Sequence, residues 1–381
     1  MTASTMGPFA AAHSEHPVTI DAATQVLADL GERIEPGADL AVVFAAGIHR
    51  TCLLDLRSGL TELLDVSHVL GVSVSGVVSG GREVETGAAL SVWAGHTGEV
   101  RPVRLETIDS GRTILGLPAS IEPGSVLLLL ADPFSFPVET LLDAIDTEGL
   151  DLGVAGGLAS AGRSPGENEL LLDSSLHTDG AVGVILPPGS ARTVVSQGCR
   201  PIGQPWVITD GSGQMIRQLG GRSALSRLQP TIDGLTPEDR ALAARGLHVG
   251  IVANEQVETF AQGDFLIRSL LGADRSSEAI AVGAQIEVGQ IVQFHVRDAE
   301  SASQDLYERL TEVEPEVAGS LLFTCTGRGT NMFRDDHHDA RAITEVFPDV
   351  ANAGMFCAGE IGPVGSRNAV HGFTATALLF G

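Results

Sequence analysis

The segments 319-GSLLFTCTGRGTNMFRDDHHDARAITEVF-347 and 357-CAGEIGPVGSRNAVHGF-373 are ordered as strand, polar loop, helix, strand, glycine turn and strand. The apolar run from Leu321 ends in a glycine-rich loop, and Ala340 and Ile343 follow at helical spacing. Glycines at the turn permit the tight reversal of a hairpin. The pattern therefore predicts one β-α-β-β unit.

The same order of elements occurs twice earlier in the chain. One copy begins with 39-DLAVVFAAGIHR-50, and the other begins with 125-SVLLLLADPFSF-136, with a polar insertion at 163–179 between its last two strands. Repetition of such a unit predicts an α+β or α/β fold, with layered mixed β-sheets covered by helices. Units packed around a shared axis bring their strand-end loops together, which predicts a ligand pocket where the loops converge.

The repeats suggest two domains. We expect one at 20–190 with the first two units, and another at 191–381 with connecting strands and the third unit. The start, MTASTMGPFAAAHSEHP, lacks the basic and apolar regions of a secretory signal and is expected to be a frayed tail. A cytoplasmic protein is the resulting expectation.

Composition argues against several classes of function. The formal net charge of −25 would repel nucleic-acid phosphates and anionic membrane surfaces, so neither is an expected partner. All 23 basic residues are arginine, which removes the lysine that a P-loop or a Schiff-base enzyme needs. The four cysteines form no CxxC pair, so free thiols are expected, without a metal or other cofactor.

Several motifs resemble the FIST domain family, with its N-terminal and C-terminal parts. The resemblance is carried by 321-LLFTCTGRGTNMF-333, 354-GMFCAGEIGPVG-365 and 368-NAVHGFTATALLF-380, and shorter matches extend it over nearly all of the chain after about residue 20. It implies a cytoplasmic sensory or signal-transduction module that binds a small ligand such as an amino acid, with a separate output protein as its partner. Arg334 and Cys357 depart from the residues usual in relatives, glycine and alanine respectively.

Arg328, between two glycines, can present a bidentate fork to a ligand carboxylate, with Asn331 as an orienting amide. Glu360 is a matching partner for an α-amino group. The alternative is structural: Arg328 forms an internal salt bridge, and Glu360 pairs with it or accepts bonds from turn amides. By pattern alone, Ser75 and Glu83 in the first unit are counterparts of Cys357 and Glu360.

Six further residues complete the candidate ligand-binding set. Each also has an ordinary structural interpretation, as a packed histidine, a buried thiol or a turn residue. They are Asn368, His371, Cys325, Cys357, Asp132 and Arg200. The run 335-DDHHD-339 resembles a metal cluster, but two adjacent histidines on a helix point about 100° apart, so helix capping is favoured.

A second function stays open from the residues alone. Cys325 or Cys357 is a nucleophile in a thiol-dependent hydrolase, or Glu360 and His371 serve an acid–base catalyst acting on a small metabolite. The chain has no GxSxG, HExxH or zinc signature, so the ligand-binding hypothesis is preferred, and no catalytic residue is assigned.

Overall fold

The computed structural model describes residues 7–253, 259–314 and 316–381. Over these residues the chain forms seven α-helices and four β-sheets, which confirms the predicted layered α+β fold. A leading strand and helix precede the first unit: β1 (Phe9–Ser14) and α1 (Thr19–Gly31).

Three β-α-β-β units are present, as the sequence predicts. The first unit comprises β2 (Leu40–Ala46), α2 (Leu53–Leu64), β3 (His68–Val74), β4 (Val77–Ser79), β5 (Arg82–Val84) and β6 (Ala89–Gly95). Two linking strands follow it, β7 (Arg101–Ile108) and β8 (Thr113–Leu115). The second unit and the strand after it are β9 (Ser125–Ala131), α3 (Val138–Thr147), β10 (Leu152–Leu158), β11 (Leu170–Leu172), β12 (Ser175–His177), β13 (Ala181–Leu186) and β14 (Arg192–Gln197).

A fourth sheet lies between the second and third units in the chain. It is built from strands and helices with no counterpart in the repeats: β15 (Cys199–Ser212), β16 (Met215–Leu219), β17 (Arg222–Ser223), α4 (Ala224–Asp233), α5 (Pro237–Arg245), β18 (Leu247–Val252), β19 (Phe265–Asp274), β20 (Ala279–Val282) and β21 (Ile291–Arg297). The third unit follows as α6 (Ala299–Thr311), β22 (Gly319–Cys325), α7 (His338–Val346), β23 (Ala351–Cys357), β24 (Glu360–Val364), β25 (Arg367–His371) and β26 (Thr374–Phe380).

The three units share one strand arrangement. In each unit the first two long strands are parallel and the last strand lies antiparallel beside the first, as in β22, β23 and β26. A further antiparallel strand then borders the last one: β1 beside β6, β7 beside β13, and β14 beside β26. β14 (Arg192–Gln197) thus belongs to the third unit's sheet, and the domain boundary near residue 190 stays a prediction.

Each unit donates its short hairpin to another unit's sheet. The β4–β5 hairpin pairs with β23, the β11–β12 hairpin with β3, and the β24–β25 hairpin with β10. The exchange is cyclic, so the three sheets form a closed ring with pseudo-threefold symmetry. A unit separated from the others would lose two strands of its sheet and expose an unpaired edge.

The inner faces of the three sheets pack into one central apolar core. All three units supply it, through side chains such as Phe44, Leu128 and Phe323. Helices cover the outer faces: α1 and α2 on the first sheet, α3 on the second, α6 and α7 on the third. The result is a triangular prism of sheets, which follows from strands that are apolar on both faces.

Three details differ from the sequence-based expectations. The expected N-terminal tail contains β1, an edge strand of the first sheet, although residues 1–6 lie outside the described part of the chain. The polar insertion at 163–179 holds the β11–β12 hairpin itself. α7 begins at His338, and its N-cap His337 has a left-handed backbone with no side-chain cap bond, so the predicted capping by 335-DDHHD-339 is wrong.

Candidate functional site

The ends of three strands from three different units meet at one end of the prism. Ser75 donates its backbone N–H to Ser160 Oγ at 2.9 Å, and Ser160 Oγ donates to the carbonyl of Phe356 at 2.5 Å. The Phe356 N–H in turn donates to the carbonyl of Gly76 at 3.0 Å. The predicted convergence of strand-end loops is therefore present, and these bonds tie the three loops together.

The Arg328 side chain is completely buried and forms a bidentate ion pair with Asp339. Arg328 Nε lies 2.7 Å from Asp339 Oδ2 and Nη2 lies 2.8 Å from Oδ1, and Thr324 Oγ1 donates to the same carboxylate at 2.6 Å. Burial alone would raise the pKa of Asp339, but the guanidinium holds it well below its usual range. The Arg328 guanidinium, which was expected to bind a ligand carboxylate, thus binds the Asp339 carboxylate. This is the internal salt bridge that the sequence left open as the alternative.

Glu360 is also fully buried, at the start of β24 beside the Cys325 thiol. Its Oε2 accepts hydrogen bonds from the Thr374 hydroxyl at 2.8 Å and the Thr374 N–H at 3.2 Å, whereas Oε1 has no partner among the described residues. Burial raises the pKa of Glu360 to about 8, against the opposing effects of Thr374 and the Arg328 charge. A carboxyl that is protonated at neutral pH is a poor complement for an ammonium group.

Sheet register identifies the true counterparts of Glu360. Ile361 lies opposite Gly156, Val77 opposite Met355, and Leu170 opposite Val72, in equivalent places of the three sheets. The residues that precede Ile361, Val77 and Leu170 in the chain are therefore equivalent, and they are Glu360, Gly76 and Glu169. The expectation that Ser75 and Glu83 match Cys357 and Glu360 is wrong, because Val74 holds the register position of Cys357, and Glu83 lies on β5, the second strand of its hairpin.

Glu83 has a different place, at the N-terminal end of α7. Its Oε1 accepts the Ala340 N–H at 2.9 Å, so the first unit's hairpin satisfies an open amide of the third unit's helix. Burial, together with the neighbouring charge of Asp339, raises the pKa of Glu83 to about 7. Glu83, Asp339, Arg328 and Glu360 thus form a buried charge network that links two units.

Cys325 and Cys357 are register neighbours on β22 and β23. Both thiols are buried, and burial raises the pKa of Cys325 to about 12 and that of Cys357 well above its usual value. A thiol with such a pKa stays protonated at neutral pH, whereas nucleophilic attack requires the thiolate. The geometry gives no support to the thiol-dependent hydrolase.

The remaining predicted residues are spread over the molecule and have protein partners. His371 Nε2 lies 3.0 Å from the Gly362 carbonyl, and Asn368 bonds the backbone of β10 through both ends of its amide. Asp132 accepts from Ser135 Oγ and Asn168 Nδ2. Ligand contact by these three residues stays a prediction.

Arg200 joins the fourth sheet to two helices. It pairs with Asp239 in the first turn of α5 and with Asp298, the N-cap of α6, at 2.5 Å from Nε to Oδ2. Asp298 Oδ1 also accepts the Glu300 N–H at 3.1 Å. Arg200 therefore fixes the angle between α5 and α6, which form one wall of an open cleft.

That cleft lies between the fourth sheet and the loop after β22, and we name it the loop cleft. Its volume is about 500 Å³. Of the predicted residues, Asn331 lines it, together with Leu242, Arg245, Arg297, Asp298, Ala299, Glu300, Ser303, Met332, Phe333, Arg334, Asp335 and His338. Its floor is ordered by the Phe333 and His338 rings, which stack with centroids 3.6 Å apart, and His338 Nε2 lies 2.9 Å from Ser303 Oγ.

Arg297 and Arg334 place two guanidinium groups in the loop cleft. Within the described residues, neither guanidinium has a carboxylate within 4 Å or a hydrogen-bond partner, although the protein is strongly acidic. Arg297 lies over the Phe373 ring, 5.2 Å from its centroid. Glu300 and Asp335 supply negative charge on the same rim, so the cleft offers both signs of charge within one small volume.

The loop that carries Arg334 is held by its neighbours. Arg328 anchors one side through Asp339, and Thr330 bonds Glu85 of the first unit through its N–H at 2.8 Å and its hydroxyl at 2.9 Å. Gly327 is required because an added Cβ would lie 2.9 Å from the Phe373 ring. The GRG motif therefore positions the wall of the loop cleft, a role that the sequence pattern did not distinguish from direct ligand contact.

Sequence reasoning missed Asp339 as the partner of Arg328 and Arg297 as a cleft residue. A usable signal existed for Arg297, since it ends an apolar strand and directly precedes the Asp298 N-cap, which puts it at the end of a strand beside a helix start. Arg334 was noted as a departure from relatives, and the structure shows that this departure lies in the loop cleft.

Family models match most of the chain, with the FIST N domain at residues 39–222 and the FIST C domain at 224–363. The chain belongs to the FIST family. FIST domains are ligand-binding sensory modules of signal transduction. In this FIST protein, the loop cleft lies within the residues matched by the FIST C domain. None of the described helices has the length and apolar character that a membrane crossing requires.

Curated relatives of this FIST protein include two mycobacterial proteins. It is 40% identical over 366 residues to the uncharacterized protein MT0656 of Mycobacterium tuberculosis, covering 94% of this chain and 96% of that protein. It is 41% identical over 347 residues to the uncharacterized protein Mb0898c of Mycobacterium bovis, covering 90% of each. An F-box/LRR-repeat protein of Arabidopsis thaliana is 32% identical over 99 residues, 24% of this chain and 18% of that protein.

Proposed function

We propose that this protein is a cytoplasmic sensor of a free amino acid or a similar small zwitterion, which binds in the loop cleft. The observation that carries the proposal is the pair Arg297 and Arg334, two of the three arginines that line the cleft, whose guanidinium groups have no carboxylate partner among the described residues. Guanidinium is a strong complement for carboxylate, so the pair suits the ligand's acid group.

The rest of the cleft suits the other parts of an amino acid. Glu300 and Asp335 can accept the ammonium group, while Asp298 is already engaged by Arg200 and the α6 amides. Leu242 and Met332 offer apolar surface for a side chain, beside the stacked Phe333 ring. A cleft of about 500 Å³ has the size of a small-molecule site.

Signal output follows from the position of the cleft. The cleft is lined by two parts of the chain. One is the fourth-sheet region, through α5 and Arg297, and the other is the third unit, through α6 and the loop after β22. A bound ligand therefore changes the contact between these two parts. A separate output protein then reads this change on the outer surface. A ligand that stabilises one arrangement shifts the population only by its difference in affinity for the two.

The test is a thermal unfolding titration with a panel of amino acids, each paired with the amine and the carboxylic acid of the same carbon skeleton. A zwitterion that binds the folded state alone raises the melting temperature saturably, corresponding to about 2.7 kcal/mol at 100 times its Kd. The matching amine and acid should give much smaller shifts, since each lacks one charged group.

Substitution then locates the site. Arg297→Gln and Arg334→Gln should each lower the affinity for the zwitterion at least tenfold, whereas Arg275→Gln, on the exposed turn after β19, should leave it unchanged. The proposal is overturned if no panel member stabilises the protein, or if the stabilisation survives both cleft substitutions.

A further inference from the structure

The inner face of the fourth sheet carries a pair of buried histidines behind the loop cleft. His248 on β18 and His295 on β21 are register partners, and their side chains are 5% and 0% exposed. His295 Nδ1 lies 3.0 Å from the Gln293 carbonyl. The other three ring nitrogens of the pair have no hydrogen-bond partner among the described residues.

Such an arrangement is unusual in a protein interior, where buried polar atoms are nearly always hydrogen-bonded. Burial, together with the Arg297 charge, lowers the pKa of His248 to about 4, and burial lowers the pKa of His295 to about 4, so both rings are neutral at neutral pH. A neutral imidazole has one donor and one acceptor nitrogen. The natural complement of His248 is a group that both accepts and donates, such as a carboxamide.

The Phe373 ring contacts both this pair and a residue of the loop cleft. Its centroid lies 4.5 Å from that of His248 and 5.2 Å from the Arg297 guanidinium carbon. Since Arg297 lines the cleft, Phe373 connects His248 to a residue of the cleft wall.

The backbone of Phe373 is strained. Its φ of 62° lies in the left-handed region, which bulky residues rarely adopt, and Gly372 precedes it. Arg328 Nη1 donates to the Phe373 carbonyl at 3.4 Å, which contributes to holding the residue in this conformation. A change of the Phe373 backbone to a negative φ would relieve this strain and move the ring, and the neighbouring Gly372 can accommodate such a change.

We propose that Phe373 is a gate between the loop cleft and an inner subsite at His248, and that the sensed amino acid carries a side-chain carboxamide which displaces the ring and bonds His248. This inference rests on the proposed function, because Arg297 and Arg334 hold the carboxylate while His248 selects the side chain. The proposed ligands are thereby narrowed to amino acids with a carboxamide side chain.

The experiment measures the affinities of the full-length protein for L-glutamine, L-glutamate and L-norleucine, three amino acids of similar length, by isothermal titration calorimetry. L-glutamine should bind about tenfold more tightly than L-norleucine, the effect of one additional satisfied hydrogen bond or slightly more. L-glutamate should bind more weakly than L-glutamine, because a carboxylate next to His248 would be desolvated without a cationic partner.

Two variants test the roles of the individual residues. His248→Phe keeps the ring and removes its nitrogens, so it should abolish the preference for L-glutamine over L-norleucine while both still bind; His96→Phe, at an exposed histidine, should leave the preference intact. Phe373→Leu replaces the gating ring with a smaller side chain that is easier to displace, and should tighten L-glutamine binding severalfold.

The outcomes separate the two proposals. Equal binding of the three amino acids by the unmodified protein, or a preference for L-glutamine that persists in His248→Phe, overturns the inference but leaves the zwitterion sensor standing. Binding of none of the three, with no response to the wider panel either, overturns the proposed function itself. The measurement on the unmodified protein decides between these outcomes even if a variant fails to fold.

Discussion

The core between the three sheets and the interface between the third unit and the fourth sheet are both buried, yet their chemistry is opposite. The core consists mainly of apolar side chains, such as Phe44 and Phe323 in edge-to-face contact at 6.3 Å. The interface contains Arg328, Glu360, His248 and His295, and several of their polar atoms have no partner among the described residues.

This difference separates the part of the molecule that serves stability from the part in which we propose that a ligand binds. Apolar burial holds the ring of sheets together, and hairpin exchange makes the three units depend on one another. A polar interface adds little net stability and constrains alternative arrangements poorly when it is incompletely satisfied. It is therefore the place where a ligand's polar groups can have the largest effect.

The largest effect is expected from breaking the bidentate Arg328–Asp339 pair of the polar interface. Asp339→Asn leaves a buried guanidinium without its counter-charge and should lower the free energy of unfolding by about 3–5 kcal/mol. Urea unfolding monitored by circular dichroism measures the loss. Asp210→Asn, which breaks the exposed pair with Arg217, is the matched control and should change stability little. Similar small losses in both variants would contradict the structural role of Arg328.

The order of elements along the chain was predictable from the sequence, because the repeats place apolar runs, helical spacing and glycine turns in a fixed sequence. The exchange of hairpins was not, since a short segment such as Leu170–Leu172 contains no information about which sheet it joins. Only the register shows that Glu169, and not Glu83, corresponds to Glu360.

The candidate site was predictable only in part. The glycine-flanked Arg328 was recognised as important, but two explanations fit it, and Asp339 eleven residues later decides between them only in three dimensions. His248 lies in the segment 247-LHVGIV-252, which reads as an ordinary buried strand. Its unusual environment depends on Phe373, more than a hundred residues away, so no local pattern could reveal it.

An intermediate effect is expected from Glu360, and it should depend on pH. The folded-state pKa of about 8 lies above the unfolded value near 4.5, so the folded state holds the proton more tightly. The corresponding stability is fully present below about pH 4.5 and is lost as the pH rises through 8. Glu360→Gln should therefore flatten the decline of stability over this range.

The measurement is the free energy of unfolding at intervals from pH 5 to pH 9. Some decline should remain in Glu360→Gln, because the pKa of Glu83 is raised in the same direction, to about 7. Glu312→Gln, at an exposed position after α6, is the control and should reproduce the unmodified profile. An unchanged slope in Glu360→Gln would mean that Glu360 is ionised in the folded protein.

The smallest effect is expected from exchanging aromatic rings between the two buried regions. His248→Phe removes two ring nitrogens that have no partner among the described residues, and should raise the free energy of unfolding without ligand by about 1 kcal/mol. The reciprocal change, Phe323→His in the apolar core, should lower it, because it buries a polar ring among side chains that cannot bond it. Chemical unfolding of both variants measures the contrast. If His248→Phe is as destabilising as Phe323→His, His248 contributes to folding as a satisfied core residue. The proposed division between a stabilising core and a binding interface would then be wrong at His248.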